Sequence, residues 1–284
     1  MHKNMCSTIA IIILYNSTKE TIEKWKNYIE FHPEVFFLFV DNSECGMANI
    51  IEFSNATTIS NEKNVGIAAA QNIGIKYAES KKFKYVIFFD QDSEIAPFFL
   101  QNIVLEFEKI KKNDPQIVIL GPTIINKDLS VEYKHCDSLN KEGNAIVSSV
   151  ISSGSIVDVD SFSIVGLMNE KMFIDYVDFE WCWRAQSKGY LCYRTHNIVL
   201  PHKVGQNLVS FCGYPIIISA PSRYFYQYRN FIWLLKLDYV PGEWKAKMLV
   251  RKLVELLILP LLVKQKFLTM KYMMEGLFAG ILNK

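Results

Sequence analysis

The apolar positions of the chain form short continuous runs that alternate with amphipathic segments. Residues 8–14, 35–40 and 85–89 are almost wholly apolar, which predicts strands covered on both faces, since the runs are short for buried helices. Shorter strands are predicted at residues 57–59 and at residues 116–120, where Gly121-Pro122 should end the strand.

Amphipathic segments between these strands predict helices. Ser17 and Glu20 have the spacing of a capping box that opens a helix to about residue 30. Further helices are predicted over residues 66–80 and after Pro97. Alternation of strands and helices predicts an α/β fold with a mostly parallel central sheet flanked by helices. Residues 123–155 lack strong periodicity, and we expect an antiparallel extension of the sheet there.

Two carboxylates follow the strand at residues 85–89. Asp90 and Asp92 lie one residue apart, and carboxylates next to a core are costly without a cation. Carboxylate oxygens suit hard divalent ions such as Mg²⁺, which is held by one or two carboxylates plus substrate phosphates. Ligands of open α/β sheets bind beyond the carboxyl ends of the strands. The pattern therefore favours a metal–diphosphate site, with a solvated turn as the alternative.

The glycine pattern narrows the kind of nucleotide site. The chain has no glycine before Gly46, and the turn after its first strand, residues 14–17, contains none. Dinucleotide fingerprints and P-loops need glycines at that turn, so that the backbone can approach the phosphates. Both classes are therefore disfavoured.

Composition and charge divide the chain into two predicted parts. Of the 284 residues 50% are hydrophobic, which excludes a disordered protein. Residues 1–222 carry a net charge of −5 and residues 223–284 carry +7, although the whole chain has only +2. We expect a catalytic domain over 1–222 and a basic helical extension over 223–284. The six cysteines show no paired metal spacing, and the N-terminus lacks a signal-peptide pattern, which favours reduced thiols in the cytoplasm.

Six ordered pieces, spanning roughly residues 8–230, together resemble the family 2 nucleotide-sugar glycosyltransferases, which have the GT-A fold. Within that family the pieces most resemble bacterial rhamnosyltransferases of O-antigen or capsule assembly. The pieces are Tyr15-Asn16, Val40-Asp41-Asn42-Ser43, the segment from Asn64 to Asn72, Asp90-Gln91-Asp92, the segment from Asp175 to Trp181, and His202-Lys203-Val204-Gly205.

The resemblance implies a nucleotide-sugar pocket. Asp41 would contact the nucleotide base, although a turn residue is an equal interpretation of that position. Asn64 and Gly66 would line the pocket at a helix N-terminus, which favours a nearby anion. The full implied set is Tyr15, Asn16, Asp41, Asn64, Gly66, Asn72, Asp90, Ser153 and Gly154.

The resemblance also implies a metal and a catalytic base. Asp90 and Asp92 would hold Mn²⁺ or Mg²⁺ against the donor diphosphate, with His202 as the third protein ligand. Transfer with inversion needs one carboxylate as a general base. Asp175, Asp178 and Glu180 are the candidates, and the family pattern favours Asp178.

The residues around this base have supporting roles in the prediction. Glu180 would be a supporting or acceptor-binding residue. Trp181 offers an aromatic face to a sugar or, more simply, packs in the core. Arg184 would contact phosphate or pair with an acid.

The predicted function is therefore an inverting, metal-dependent transfer of L-rhamnose from dTDP-L-rhamnose to a polyprenyl-diphosphate-linked glycan. The alternatives are a UDP-sugar-dependent transferase on the same fold and a non-catalytic membrane-associated scaffold. Residues 244–267 place basic residues around an apolar stretch of 11 residues, too short to span a bilayer. We expect a peripheral protein on the inner face of the cytoplasmic membrane, with a core or dimer helix as the alternative. The sequence is compatible with a homo-oligomer, and no nucleic-acid partner is expected.

Overall fold

A mixed sheet with helices on both faces organises the protein. The computed structural model describes residues 7–44, 53–126, 131–132, 140–202, 208–211 and 214–282. The strands are β1 (Thr8–Leu14), β2 (Phe36–Asp41), β3 (Ala56–Ser60), β4 (Tyr85–Asp90), β5 (Ile117–Asn126), β6 (Val131–Glu132), β7 (Asn144–Ile146), β8 (Ile156–Asp158), β9 (Leu191–His202), β10 (Leu208–Phe211) and β11 (Tyr214–Ile217). The helices are α1 (Lys19–Phe31), α2 (Ile67–Ser80), α3 (Phe99–Asn113), α4 (Asp160–Val165), a 3₁₀ turn (Glu170–Met172), α5 (Val177–Ser187), α6 (Pro221–Leu235), α7 (Gly242–Leu262) and α8 (Lys266–Ile281).

The strand order along the sheet is β3-β2-β1-β4-β8-β5-β9-β7, with β6 paired to β5. Strands β3, β2, β1 and β4 run parallel to one another, and β5 is parallel to β9. Strand β8 joins the two parallel groups because it pairs antiparallel with both β4 and β5. The predicted α/β fold with a mostly parallel sheet is therefore confirmed.

The side chains of β1 show why its apolar run is continuous. All seven residues of β1 are buried, because successive side chains point to opposite faces and both faces are covered. Ile9, Ile11 and Ile13 pack in the layer that contains α2, whereas Ala10 and Ile12 pack in the layer of α1 and α3. The two layers exclude water from both faces of the sheet, so its accessible parts are its edges and the ends of its strands.

Two local predictions are wrong. Helix α1 is capped by Thr18, whose hydroxyl accepts the Thr21 N–H at 3.2 Å, rather than by Ser17. The Ser17 hydroxyl instead donates to Gln91 at 2.6 Å. Strand β5 does not stop at Gly121-Pro122 but runs on to Asn126, with an irregular register between Pro122 and Thr123. The irregular register lets β5 continue past a proline, which has no N–H to donate.

The expected antiparallel extension is observed in short pieces. Strand β6 pairs antiparallel with β5, and β7 pairs antiparallel with the edge of β9. The part of residues 127–139 other than β6 lies outside the described residues.

The three C-terminal helices form a small apolar core of their own, made of Tyr224, Tyr228, Leu259, Val263 and Met273. Helices α6 and α8 approach each other closely at two glycines of α8. A Cβ atom at Gly276 would lie 2.3 Å from the Phe225 carbonyl oxygen, and one at Gly280 would lie 2.7 Å from Ile232 Cβ. Within the described part of the chain, no helix combines the length and apolarity needed to cross a membrane.

Candidate active site

The carboxyl ends of β1, β2 and β4 meet at one edge of the sheet. Leu14 pairs with Asp41 and Ile13 pairs with Asp90, so the two acidic side chains flank the end of β1. Gln91 ties these ends together, because its side chain accepts the Tyr15 N–H at 2.8 Å and donates to the Tyr15 carbonyl at 3.2 Å. The turn that carries Asp90 and Asp92 is thereby fixed to the neighbouring strand.

Two residues of α1 also hold the turn that carries Asp90 and Asp92. Lys24 Nζ donates to the carbonyls of Gln91 and Ser93, at 3.2 and 2.9 Å, and Trp25 Nε1 donates to the Gln91 carbonyl at 2.9 Å. Asp92 remains exposed and Asp90 is partly exposed, so both carboxylates are accessible from outside the fold.

A cleft of about 1220 Å³ opens at this edge of the sheet. One part of its wall comes from the side of the sheet, including Asp90, Asp92, Ser153 and Asp178. The other part comes from the C-terminal helices, from which the residues Arg223, Tyr224, Gln227, Arg251, Glu255, Leu259, Leu262 and Val263 line the cleft. The cleft therefore lies between the sheet and the C-terminal helices.

Asp178 is the second residue of α5 and lines this cleft. Its Oδ2 accepts the Ser152 N–H at 3.1 Å, and its Oδ1 accepts the Phe179 N–H at 3.0 Å. Burial raises the pKa of Asp178 to about 6; these hydrogen bonds oppose the rise, and the charge of Asp90 adds slightly to it. A carboxylate with a pKa just below neutral is ionised at pH 7 and is more basic than an ordinary aspartate.

The segment before α5 has an unusual backbone. Phe173, Asp175 and Tyr176 all have positive φ angles of 64–66°, which non-glycine residues rarely adopt and which cost free energy unless neighbours impose them. Two residues of α6 supply that constraint. Asn230 Nδ2 donates to the carbonyls of Met172, Ile174 and Asp175, at 2.9, 2.8 and 3.2 Å, and the Arg229 guanidinium donates to the Lys171 carbonyl at 2.6 Å.

Two further contacts hold the same segment. Arg223 Nη2 donates to Asp175 Oδ1 at 2.8 Å, and Arg223 Nε donates to Asp175 Oδ2 at 3.0 Å. The Phe173 ring stacks on Tyr226 of α6, with ring centroids 4.6 Å apart. Helix α6 thus holds the backbone up to Asp175, just before the helix that carries Asp178.

The comparisons with known proteins agree with this geometry. Residues 9–155 match the family described as Glycosyl transferase family 2. The chain is 36% identical over 233 residues, which is 77% of this chain and 76% of the relative, to the dTDP-rhamnosyl transferase RfbF of Shigella flexneri. The chain belongs to glycosyl transferase family 2.

Two solved structures resemble the fold of this glycosyltransferase. One is GalNAc-T7 crystallised with UDP, GalNAc and Mn²⁺, with a TM-score of 0.53, 14% identity and 84% of this chain covered. The other is S. aureus TarS, with a TM-score of 0.52, 17% identity and 86% of this chain covered. The glycosyltransferase spans 53% and 42% of those two chains, about half their length. Both have low identity, so the likeness concerns the GT-A fold.

The predicted metal ligands of the glycosyltransferase are only partly described. Asp90 and Asp92 line the cleft as two carboxylates on one turn, a donor set that fits a hard divalent cation. His202 is the last residue of β9, and its side chain is not among those described. Among the described side chains, no group of three His, Cys, Asp or Glu residues is arranged to hold a metal ion.

The predicted nucleotide-pocket residues surround the ends of β1 and β2. Tyr15 is exposed, and the Asn16 N–H donates to the Ser43 hydroxyl at 2.8 Å. Asp41 is buried, and its Oδ1 accepts the Ser43 N–H at 2.9 Å. Asn64 is exposed, and its side-chain oxygen accepts the Gly66 N–H at 2.9 Å. None of these four residues is part of the lining of the cleft described above. The predicted nucleotide pocket and the cleft are therefore separate regions.

Gly66 and Asn72 hold helix α2 against the segment before α5. Gly66 has φ +84° and touches Phe173, so a Cβ atom there would lie 2.5 Å from the Phe173 ring. The Asn72 side chain is buried, accepts the Met168 N–H and donates to the Met168 carbonyl, both at 2.9 Å. Gly66 therefore supports the segment before α5 through packing, and Asn72 supports it through hydrogen bonds.

Ser153 and Gly154 lie beside β4. The hydroxyls of Ser93 and Ser153 form a 2.8 Å hydrogen bond, and Ser153 lines the cleft. The Gly154 N–H donates to the Phe88 carbonyl at 2.7 Å, and its φ of +76° favours glycine. A side chain at Gly154 would contact Leu200, Pro122 and Phe99.

Glu180 and Trp181 are buried and Arg184 is partly buried, and all three lie on α5 outside the lining of the cleft. The Arg184 guanidinium makes two hydrogen bonds to the Glu180 carboxylate, at 2.8 and 3.0 Å, and Tyr239 donates to Glu180 at 2.6 Å. Trp181 Nε1 donates to the Gly166 carbonyl at 2.8 Å. The structure thus places all three in packing and pairing contacts, with Arg184 pairing an acid rather than facing the cleft.

Gln71 is a candidate residue of the glycosyltransferase that sequence reasoning missed. It lies on α2, lines the cleft and is 2% exposed. Its Oε1 atom has no hydrogen-bond partner within the described structure, and an unpaired buried acceptor costs free energy. A hydroxyl or amide group of a bound ligand would pair it. Only the three-dimensional contacts carry this signal, because a glutamine on a helix has no distinctive sequence pattern.

Proposed function

We propose that this glycosyltransferase transfers L-rhamnose from dTDP-L-rhamnose to a glycan hydroxyl, with inversion and with a divalent metal. The observation that carries the proposal is the presence of Asp178, with its raised pKa, in the same cleft as Asp90 and Asp92. The similarity to a dTDP-rhamnosyl transferase supports the choice of donor. The same fold in GalNAc-T7, crystallised with UDP and Mn²⁺, supports a nucleotide diphosphate and a metal.

Asp178 acts as the general base. The acceptor oxygen forms a bond to the anomeric carbon of rhamnose, while the bond from that carbon to the diphosphate oxygen breaks. The proton of the acceptor hydroxyl moves to an Asp178 carboxylate oxygen, and the nucleoside diphosphate leaves with the bonding electrons. A single displacement from the opposite side inverts the anomeric centre. Asp178 suits this role because general bases work best with a pKa near the operating pH.

Asp90 and Asp92 would hold Mn²⁺ or Mg²⁺, with His202 as the proposed third ligand. The bound cation would neutralise charge that develops on the departing diphosphate. The nucleotide would occupy the ends of β1 and β2, next to Asn16, Asp41 and Asn64, whose hydrogen bonds shape the turns there. The donor sugar would lie beside β4 next to Ser153, which lines the cleft, while Gly154 lets the chain pack closely against the core behind it.

We assign the acceptor to the class of polyprenyl-diphosphate-linked oligosaccharides used in O-antigen or capsule assembly. The basic C-terminal helices that form one wall of the cleft support this assignment, because residues 223–284 carry a net charge of +7, although Arg223 and Arg251 in the wall already pair with Asp175 and Glu255. Such an acceptor places the reaction on the inner face of the cytoplasmic membrane.

Nucleotide-dependent thermal stability tests this proposal. The protein is melted with dTDP, UDP or GDP, each with and without Mn²⁺, and a ligand at 100 times its Kd should stabilise the fold by about 2.7 kcal/mol. We expect stabilisation by dTDP that requires Mn²⁺ and disappears in Asp92→Ala. The matched control is Asp160→Ala, an exposed aspartate at the start of α4, outside the cleft lining, which should respond like the wild type.

The other outcomes separate the alternatives. A larger response to UDP reassigns the donor and leaves the reaction class unchanged. A folded protein that responds to none of the nucleotides refutes the proposed reaction and favours a scaffold. For inversion, the anomeric configuration of the product by NMR is decisive, since a retained configuration contradicts a single displacement.

A further inference from the structure

Helix α7 carries apolar side chains on its outward face as well as on its inward face. Its inward face packs Leu256, Leu259 and Val263 into the C-terminal core. At helical spacing on the opposite side lie Val250, Val254, Leu257 and Leu261, which are 63, 47, 73 and 71% exposed. A surface helix normally turns its polar residues outward, and a contiguous exposed apolar stripe marks an interaction surface.

Exposed apolar side chains also follow α7 in the sequence. Phe267 at the start of α8 is 92% exposed, and Leu268 beside it is also exposed. Lysines border the surface at both ends, with Lys247 before the stripe and Lys264 and Lys266 after it, all exposed. We call the set Val250, Val254, Leu257, Leu261 and Phe267 the docking face.

We propose that the docking face binds an anionic membrane surface, with α7 lying in the plane of the interface. Apolar side chains bordered by lysines are the pattern of helices that insert into the headgroup region, and each lysine near an anionic surface adds favourable free energy. A second copy of the chain is the disfavoured occupant. Residues 223–284 carry a net charge of +7, so a two-fold pairing of this face would bring like charges together.

The geometry gives the docking face a consequence for substrate access, which rests on the proposed function. Glu255, Leu259 and Leu262 of the same helix line the cleft. The lipid surface would therefore lie about one helix diameter, roughly 10–12 Å, from the wall of the cleft. A lipid-linked acceptor would reach Asp178 by passing along α7, without leaving the membrane.

Vesicle binding tests the docking face with the full chain. Binding is measured by co-sedimentation with vesicles of phosphatidylcholine alone and of phosphatidylcholine with phosphatidylglycerol. We expect binding to the anionic vesicles, weakened at least tenfold by the double substitution Leu257→Glu/Leu261→Glu. Lys247→Glu/Lys266→Glu should weaken binding and its dependence on salt. The matched control is Leu105→Glu, which places the same charge at an exposed leucine on α3 and should bind like the wild type.

Several results would overturn this inference. It fails if the wild type does not bind anionic vesicles, or if the α7 double variant binds as well as the control. It also fails if light scattering shows a dimer that the α7 double variant converts to a monomer, which would assign the face to a second copy.

The proposed function fails separately, through loss of the metal-dependent response to dTDP in the wild type. The α7 double variant should keep that response. With acceptor embedded in vesicles its KM should rise at least tenfold, whereas with a short water-soluble acceptor its KM should be unchanged.

Discussion

Asn230 offers the sharpest test of how the catalytic region is held. Replacing Asn230 by alanine removes the Nδ2 donor from the carbonyls of Met172, Ile174 and Asp175. The Met172 carbonyl keeps a second donor, Arg229, at 3.2 Å. The other two carbonyls lose this side-chain donor, and a buried polar group without a partner costs about 1–3 kcal/mol. Because both carbonyls are only partly buried, we expect a loss of about 2–4 kcal/mol in the free energy of unfolding.

The catalytic effect should exceed the effect on stability. Without Asn230 the positive φ angles of Asp175 and Tyr176 are less constrained, and the start of α5 can shift. A displacement of about 1 Å in a reacting group can reduce the rate about 100-fold. We therefore expect Asn230→Ala to lower kcat about 100-fold at a temperature where the variant is fully folded. Urea denaturation gives the stability, and initial rates with the nucleotide sugar give kcat.

Asn55 provides a matched control at the other end of the sheet. Its Nδ2 donates to three carbonyls, those of Ile29, His32 and Val35, at 3.4, 3.2 and 3.1 Å. It lies just before β3, at the amino end of the parallel strands. Asn55→Ala should lower stability comparably and leave kcat unchanged. If Asn230→Ala and Asn55→Ala affect kcat equally, the idea that α6 positions Asp178 is refuted.

Three further outcomes follow from the site and its surroundings. A general base must be ionised, and burial raises the pKa of Asp178 to about 6. We therefore expect kcat to be constant above pH 6 and to fall about tenfold per pH unit below it. A pH–rate profile that is flat down to about pH 4 would contradict this role. Gln71→Leu should leave the fold at least as stable as the wild type, since it removes an unpaired buried acceptor. If a ligand pairs that oxygen, KM for the donor or the acceptor should rise about tenfold in this variant. Unchanged KM values for both substrates would exclude the contact. Glu180→Ala should lower the free energy of unfolding, measured by urea denaturation, by about 3–5 kcal/mol because the Arg184 charge loses its partner. The double variant Glu180→Ala/Arg184→Leu should recover part of that loss. If the single variant has wild-type stability, the pair contributes little.

Local sequence signals predicted the sheet and one half of the cleft. The apolar runs of β1, β2 and β4 are encoded locally, since each strand is covered on both faces, and the acidic residues after two of them identify the functional edge. The order of β8 between β4 and β5 has no comparable signal, because β8 has only three residues and pairs with strands far away in sequence.

The other half of the cleft depends on contacts that no periodicity reveals. The pairing of Arg223 with Asp175 joins residues 48 positions apart. The positive φ angles of Asp175 and Tyr176 occur at residue types that ordinarily avoid them, so sequence patterns favour other conformations. The positive φ of Tyr176 marks the N-cap of α5, so the helix begins at Val177 and Asp178 lies in its first turn.

The dependence of Asp178 on α6 also sets an order of events during synthesis. Chains fold from the N-terminus as they leave the ribosome, so the strands and the aspartates at their ends can assemble while α6 is still unmade. Helix α6 in turn packs against the two glycines of α8, near the end of the described chain. A nascent chain therefore has the strand ends with Asp41 and Asp90 first, and the segment before Asp178 gains its α6 contacts only when α6 and α8 have folded. A chain interrupted after β9 would contain all the strands of the main sheet but would lack α6 and its contacts to the segment before Asp178.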